Sequence, residues 1–122
     1  VAIVAWARRC VYERDITPLI DEVGARLRGA VIIGKDGDLI VNALHTAHPE
    51  IPVVRIRTGD DGTDTPPPAE ETEQAMVEAV AAAQEMAQSG DTVLLAPAAA
   101  SYDMFTGYGQ RGDLFATTIL KH

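Results

Sequence analysis

The sequence lacks the features that define several common protein classes. It has one cysteine, Cys10, so an internal disulfide and a cysteine-rich metal cluster are both excluded. No apolar run reaches the roughly 18 residues that a membrane-spanning helix needs. The opening VAIVAW is too short for a secretory signal and precedes the basic residues, the reverse of the signal order. We therefore expect a soluble, cytoplasmic protein with no membrane contact.

Basic residues are also scarce. The chain carries 10 Lys and Arg against 18 Asp and Glu, a formal net charge of −8, and its cations are scattered. Because no basic stripe is available for a phosphate backbone, nucleic acid is not an expected partner. The 122 residues, 47% of them hydrophobic, suit one globular domain spanning residues 1–122.

Four short apolar runs rich in β-branched residues predict buried strands. They are VAIVAW at 1–6, GAVIIG at 29–34, IPVVRI at 51–56 and TVLLAP at 92–97. Continuous apolar runs of this length are typical of strands covered on both faces.

Helical patterns occupy the intervals between these strands. Thr17 and Pro18 suit the start of a first helix, and Asp36 or Asp38 can cap a second helix that ends before Pro49. An alanine-rich helix is predicted over 69–88 with Gly90 as its C-terminal cap, and a last helix from about 103 to 120. The acidic stretch 57–68, rich in glycine and proline, is predicted to be loop.

The alternation of strand and helix predicts the fold class. Consecutive parallel strands need a crossover, so the order favours an α/β domain with a mainly parallel sheet and helices on both faces. Ligands of such folds bind outside the carboxyl ends of the strands. The segment that follows the strand at 92–97 is therefore the first candidate for a site.

This segment has the composition of an anion site. Pro97 ends the strand, and three alanines leave the backbone accessible before Ser101 and Asp103, where a helix is expected to begin. Ser101 and the amides after it could donate to an anion at the helix start. The alternative is that Ser101 or Asp103 is only a helix cap, and the two roles are compatible.

Other candidate chemistry is weaker. The GKDG at 34–37 has neither a dinucleotide nor a Walker pattern, so we interpret it as a strand-to-helix turn. His45 and His48 have permissible metal spacing, but no third ligand accompanies them, and we predict no metal site. The aspartates of the loop, Asp60, Asp61 and Asp64, lack the EF-hand order, and Cys10 has no evident partner for a nucleophilic role.

The stretch GDTVLLAPAAASYDMFTGYGQRGDLF at 90–115 resembles the C-terminal domain of the Mur ligases, in the branch that adds D-glutamate to UDP-N-acetylmuramoyl-L-alanine during peptidoglycan synthesis. The chain departs from the family pattern at Ala96, where the family usually has serine. The matching positions are Gly90, Asp91, Val93, Leu94, Leu95, Pro97, Ala98, Ala100, Ser101, Asp103, Phe105, Tyr108, Arg111, Gly112 and Phe115. A softer match extends the resemblance over most of the chain.

The resemblance implies one Rossmann-like domain of a three-domain ligase that forms an amide bond with ATP and Mg²⁺. The two domains that hold ATP and the UDP-sugar would be partners of this chain, which alone would catalyse nothing. By position, the family's D-glutamate contacts fall on Ser101, Tyr102 and Tyr108, with no catalytic residue in this chain. The rivals are a stand-alone Rossmann-like module that binds a small acid and a partner-docking domain.

Residues 7–14 depart from the family. The family has a glycine-rich loop there, whose lysine pairs with the substrate carboxylate, and Tyr12 stands about where that lysine is expected. The segment contains no lysine, and the planar heads of Arg8, Arg9 or Arg14 would not reproduce a point charge. Our hypothesis is that a reading-frame slip or junction made this segment foreign to the family, which a comparison of all three reading frames of the gene would test.

Overall fold

The computed structural model describes residues 2–6, 17–34, 37–57, 68–97 and 108–121. Strands and helices alternate through these ranges, as the sequence predicts. The elements are β1 (Ala2–Trp6), α1 (Thr17–Gly24), β2 (Gly29–Ile33), α2 (Gly37–Ala47), β3 (Val53–Arg55), α3 (Ala69–Met86), β4 (Val93–Pro97) and α4 (Tyr108–Lys121). Residues 58–67 of the loop predicted at 57–68, and the first part of the predicted last helix, lie outside the described residues.

The four strands form one parallel sheet in the order β3-β2-β1-β4. Val4 of the central strand β1 lies between Val31 of β2 and Leu95 of β4. The ladder between β2 and β3 extends past the short β3, because the Ile56 amide donates to the Ile32 carbonyl at 2.9 Å. The predicted parallel sheet is confirmed.

Helices cover both faces of the sheet because the side chains of β2 alternate. Val31 and Ile33 pack with buried residues of α3, and Leu114 and Phe115 of α4 pack against the same cluster. Ala30 and Ile32, on the opposite face, pack with residues of α1 and α2. Each large apolar side chain buried in these clusters contributes about 1.5–3 kcal/mol from water removal. The predicted layers are confirmed.

The long helix α3 ends two residues before its predicted end. Its last helical residue is Met86, and Ala87 is already extended, while Gly90 lies in the next turn with φ of 91°. The Asp91 amide donates to the Gln88 carbonyl at 2.9 Å and closes that turn. The prediction that Gly90 caps α3 is therefore wrong, because Gly90 supplies the positive φ of the turn that leads to β4.

The two helices on the other face meet through a glycine and a histidine. A Cβ atom at Gly24, the last residue of α1, would lie 2.2 Å from the His48 Nε2 atom. His48 follows α2, and its amide donates to the Leu44 carbonyl at 2.7 Å. The missing side chain at Gly24 thus allows the imidazole ring to pack between the helices.

Within the described residues, no helix combines the length and the apolar character that crossing a membrane would require.

Candidate functional site

The sheet reverses its direction of growth between β1 and β4. From β1 the chain continues to β2 and then β3 on one side, whereas β4 pairs on the other side. Trp6 and Pro97, the last residues of β1 and β4, are opposite each other in the register. In open parallel sheets such a switch point forms a crevice at the carboxyl ends of the strands, where ligands bind. The fold therefore places its expected ligand crevice at the ends of β1 and β4.

The predicted substrate contacts belong to the segment that follows β4. Ser101 and Tyr102 lie outside the described residues, and Tyr108 is described only as the first backbone position of α4. The unusual segment at 7–14, which follows β1, also lies outside them. The assignment of Ser101, Tyr102 and Tyr108 as D-glutamate contacts remains a prediction, while the structure describes the strand β4 that leads into this region and the helix α4 that follows it.

Several other residues of the matched stretch serve the fold. Val93, Leu95 and Phe115 pack against the cluster formed with α3. Arg111 in α4 is only 5% exposed. The packing of Val93, Leu95 and Phe115 fixes β4 and α4 on either side of the segment at 98–107, so part of the motif is structural.

The first two residues of the matched stretch lie at the amino ends of the strands, away from the expected crevice at the carboxyl ends. Gly90 and Asp91 precede β4, and the Asp91 carboxylate accepts hydrogen bonds from the Arg28 guanidinium and from the Gln88 amide, the latter at 2.9 Å. Hydrogen bonds from Arg28, which has the largest effect, and from the Gln88 amide lower the pKa of Asp91 to about 2. Asp91 is thus an ionised structural residue remote from the crevice.

Gly34 and Gly37, the first and last residues of GKDG, lie between the end of β2 and the start of α2, in agreement with the predicted strand-to-helix turn. Gly34 has φ of 104°, a conformation that favours glycine, and the Gly37 amide donates to the Gly34 carbonyl at 3.1 Å. This amide begins α2 and is already engaged within the turn. Lys35 and Asp36 lie outside the described residues.

Sequence reasoning missed the cluster of charged side chains beside this turn. The Arg55 Nε atom donates to the Asp38 Oδ1 atom at 3.1 Å, and the Arg57 Nη2 atom donates to the same oxygen at 2.7 Å. Hydrogen bonds from Arg57, which has the largest effect, and from Arg55 lower the pKa of Asp38. The sequence predicts Asp38 as a possible cap, but its carboxylate pairs with arginines. The available signal was an arginine inside the apolar run VVRI.

The candidate metal ligands do not form a metal centre in the described part of the chain. His48 packs against Gly24, with its Nδ1 atom 3.4 Å from a Glu50 carboxylate oxygen, and His45 is exposed on α2. Among the described residues, no three His, Cys, Asp or Glu side chains are close enough to share an ion. Cys10 and the aspartates at 60, 61 and 64 lie outside this part.

Three curated relatives that the chain matches carry the same ligase name. No family model matches the chain. The chain is 47% identical over 105 residues to the UDP-N-acetylmuramoylalanine–D-glutamate ligase of Thermobifida fusca, covering 86% of this chain and 20% of the ligase. For the ligase of Streptomyces coelicolor the identity is 50% over 101 residues, with 83% and 19% covered. For that of Mycobacterium avium it is 42% over 119 residues, with 86% and 24% covered.

The parallel sheet, the helices on both faces and the switch point define a Rossmann-like α/β domain. Over more than four-fifths of its length, 83–86%, the chain matches UDP-N-acetylmuramoylalanine–D-glutamate ligases of the Mur ligase family, and the match lies in the C-terminal part of these proteins. It spans about a fifth to a quarter of the length of the relatives described above, with 19–24% covered.

Proposed function

We propose that this chain is the C-terminal substrate-positioning domain of a cytoplasmic ligase that adds D-glutamate to UDP-N-acetylmuramoyl-L-alanine in peptidoglycan synthesis. The observation that carries the proposal is the 47% identity, over 86% of this chain, to a ligase whose name states this reaction. The switch point at the ends of β1 and β4 supports it, because it offers a small ligand a place beside the segment that contains Ser101.

In the complete ligase, the L-alanine carboxylate of the UDP-sugar substrate would take the γ-phosphoryl group of ATP, with Mg²⁺ present, releasing ADP and forming an acyl phosphate. The D-glutamate amine would attack its carbonyl carbon, and phosphate would leave as the amide bond forms. This domain would hold D-glutamate by a carboxylate at Ser101, Tyr102 and Tyr108, so that the amine faces the acyl phosphate. Such positioning contributes several kcal/mol, up to about 7–11, of the barrier reduction.

By this proposal, the ATP and UDP-sugar sites are formed mainly by the other two domains. The chain itself contains no Walker-type loop, and its GKDG turn has its Gly37 amide engaged within the turn. The chain alone is therefore proposed to have no ligase activity and no tight ATP site.

The proposal is tested by titrating the isotope-labelled chain with D-glutamate while recording amide NMR shifts. The expected result is saturable shifts at Trp6, at the amides next to Pro97 and at the start of α4, with smaller shifts for L-glutamate. Mg-ATP serves as the control and is expected to give no tight binding. Equal shifts for both enantiomers, or shifts confined to the opposite edge of the sheet, would count against the D-glutamate site.

A further inference from the structure

Arg55 is unusual as a charged residue within a short, half-buried strand. Its side chain is only 10% exposed. It lies two positions after Val53 and so on the same face of β3, the face covered by α1 and α2. Burial of a guanidinium is costly unless hydrogen bonds compensate for the lost water. The contacts of Arg55 therefore require an explanation.

The guanidinium binds backbone carbonyls at the ends of two neighbouring strands. Its Nη2 atom donates to the Gly34 carbonyl at 2.7 Å, just after β2. Its Nη1 atom donates to the Ile56 carbonyl, just after β3, and reaches the Ile32 carbonyl at 3.4 Å. One side chain thus connects the end of β2, the end of β3 and, through Asp38, the first turn of α2.

The turn before α2 is shaped to accept this guanidinium. A Cβ atom at Gly37 would lie 2.7 Å from the Arg55 Cζ atom and 2.9 Å from the Ile32 Cγ2 atom. Gly37 therefore allows a close approach that a larger residue would prevent. The arginine, the glycines and the aspartate form a single packed unit, which we call the Arg55 clamp (Arg55, Gly34, Gly37 and Asp38).

We propose that Arg55 is a positioning residue that holds the carboxyl ends of β2 and β3 rigid before a ligand enters the crevice. The inference rests on the proposed function, because the end of β2 neighbours β1 and so flanks the β1–β4 crevice at a strand spacing of about 4.8 Å. A crevice whose border is already ordered loses less entropy on binding. The planar fork of arginine suits this role, since it donates in several fixed directions at once.

Amide hydrogen exchange tests the clamp in the chain itself. The variants are Arg55→Met, Arg55→Lys and, as a matched control, Arg57→Met, which removes the other guanidinium on Asp38. We expect exchange at the Gly37 and Ile56 amides to be about tenfold faster in Arg55→Met, as for lost hydrogen bonds to a charged group. In Arg55→Lys, exchange at the same two amides is expected to be as fast as in Arg55→Met, because the lysine ammonium lacks the planar, forked set of donors of a guanidinium. Arg57→Met is expected to resemble the parent chain.

Amides within α3, such as those of Ala79 and Ala83, report global unfolding in the same experiment. Unchanged exchange at Gly37 and Ile56 in Arg55→Met would overturn the proposal, and so would acceleration of equal size in α3. Should Arg55→Met fail to fold, Gly37→Ala disturbs the same contact with the arginine present. Selective acceleration at Ile56 in that variant would support the clamp, and unchanged exchange there would overturn it.

D-Glutamate titration then separates the clamp from the proposed function. Where the parent chain binds D-glutamate, we expect Arg55→Met to weaken binding at least about threefold and Arg57→Met to have a smaller effect. Faster exchange with unchanged D-glutamate affinity would overturn the positioning role. Absence of D-glutamate binding by the parent chain would instead contradict the proposed function, while the exchange result still decides whether Arg55 orders the edge.

Discussion

Arg28 and Asp91 form an ion pair that connects the amino ends of β2 and β4, although the two residues are 63 positions apart in the sequence. The Arg28 Nη2 atom also lies 3.4 Å from the Asp91 Oδ1 atom, so the contact involves both carboxylate oxygens. Strand β1 separates β2 from β4. The pair therefore bridges across β1 at the amino ends of the strands, opposite the expected ligand crevice.

This ion pair predicts an acid dependence of stability. Asp91 has a folded pKa of about 2, whereas an unperturbed aspartate has about 3.9. Because the folded pKa is lowered, the stabilisation is complete above the unfolded value and is lost as the pH falls from about 4 towards about 2. Urea unfolding of the parent chain and of Asp91→Asn is expected to show a difference in unfolding free energy that is constant near neutral pH and shrinks across this window. Glu85→Gln, on the exposed surface of α3, serves as control, and a difference that persists undiminished to pH about 2 would contradict the assignment.

Two glycine-to-alanine substitutions in helices are expected to act in opposite directions. Gly24→Ala places a Cβ atom 2.2 Å from His48 and is expected to destabilise the chain by about 1–3 kcal/mol, as overpacking does. Gly112→Ala, at an exposed site of α4 with no described atom within 4 Å of the new Cβ, is expected to stabilise it by about 0.5–1 kcal/mol. Thermal or urea unfolding measures both.

The Gly24 effect has an internal control. Since the cost arises from contact with His48, Gly24→Ala is expected to lose most of its effect in a His48→Ala background, giving a coupling energy of about 0.5–3 kcal/mol. Additive effects of the two substitutions would show that the contact is not the cause.

Gly90 provides a prediction that depends on backbone conformation alone. Its φ is 91°, and no described atom lies within 4 Å of the position that an alanine methyl group would take. Gly90→Ala is therefore expected to cost about 1–2 kcal/mol of stability from backbone strain without a steric clash. Asparagine tolerates positive φ better, so Gly90→Asn is expected to cost less. Denaturant midpoints for the two variants give the comparison, and equal losses would argue against a conformational origin.

Ser101→Ala tests the proposed substrate contact. In a full-length ligase that carries the usual lysine loop, the substitution is expected to raise the KM for D-glutamate about tenfold, because a hydrogen bond to a charged carboxylate is lost. The KM values for ATP and the UDP-sugar are expected to change little and serve as controls. A lowered melting temperature, equivalent to about 1 kcal/mol of lost stability, with an unchanged D-glutamate KM would instead identify Ser101 as a helix cap.

The sequence predicts the location of the candidate site more completely than its chemistry. Pro97 and the residues after it mark the end of a strand, and the structure places that end beside Trp6 at the switch point. The roles of Ser101, Tyr102 and Tyr108 come from the family resemblance and await the titration. The Arg55 clamp was missed because, apart from the Asp38 carboxylate, its acceptors are backbone carbonyls, and an arginine inside an apolar run does not reveal which carbonyls it binds.

The sequence by itself determined the elements and the layers. Apolar runs bounded by glycine or proline specify strands, helical spacing specifies the intervening helices, and their alternation requires parallel pairing through crossovers. Tertiary structure alone decided which partners the polar and small residues found. The pairing of Asp91 with Arg28, the space that Gly24 leaves for His48 and the Gly34 carbonyl bound by Arg55 all depend on residues distant in sequence. Local propensities carry no information about such contacts, because the contacts exist only after the sheet has brought the strand ends together.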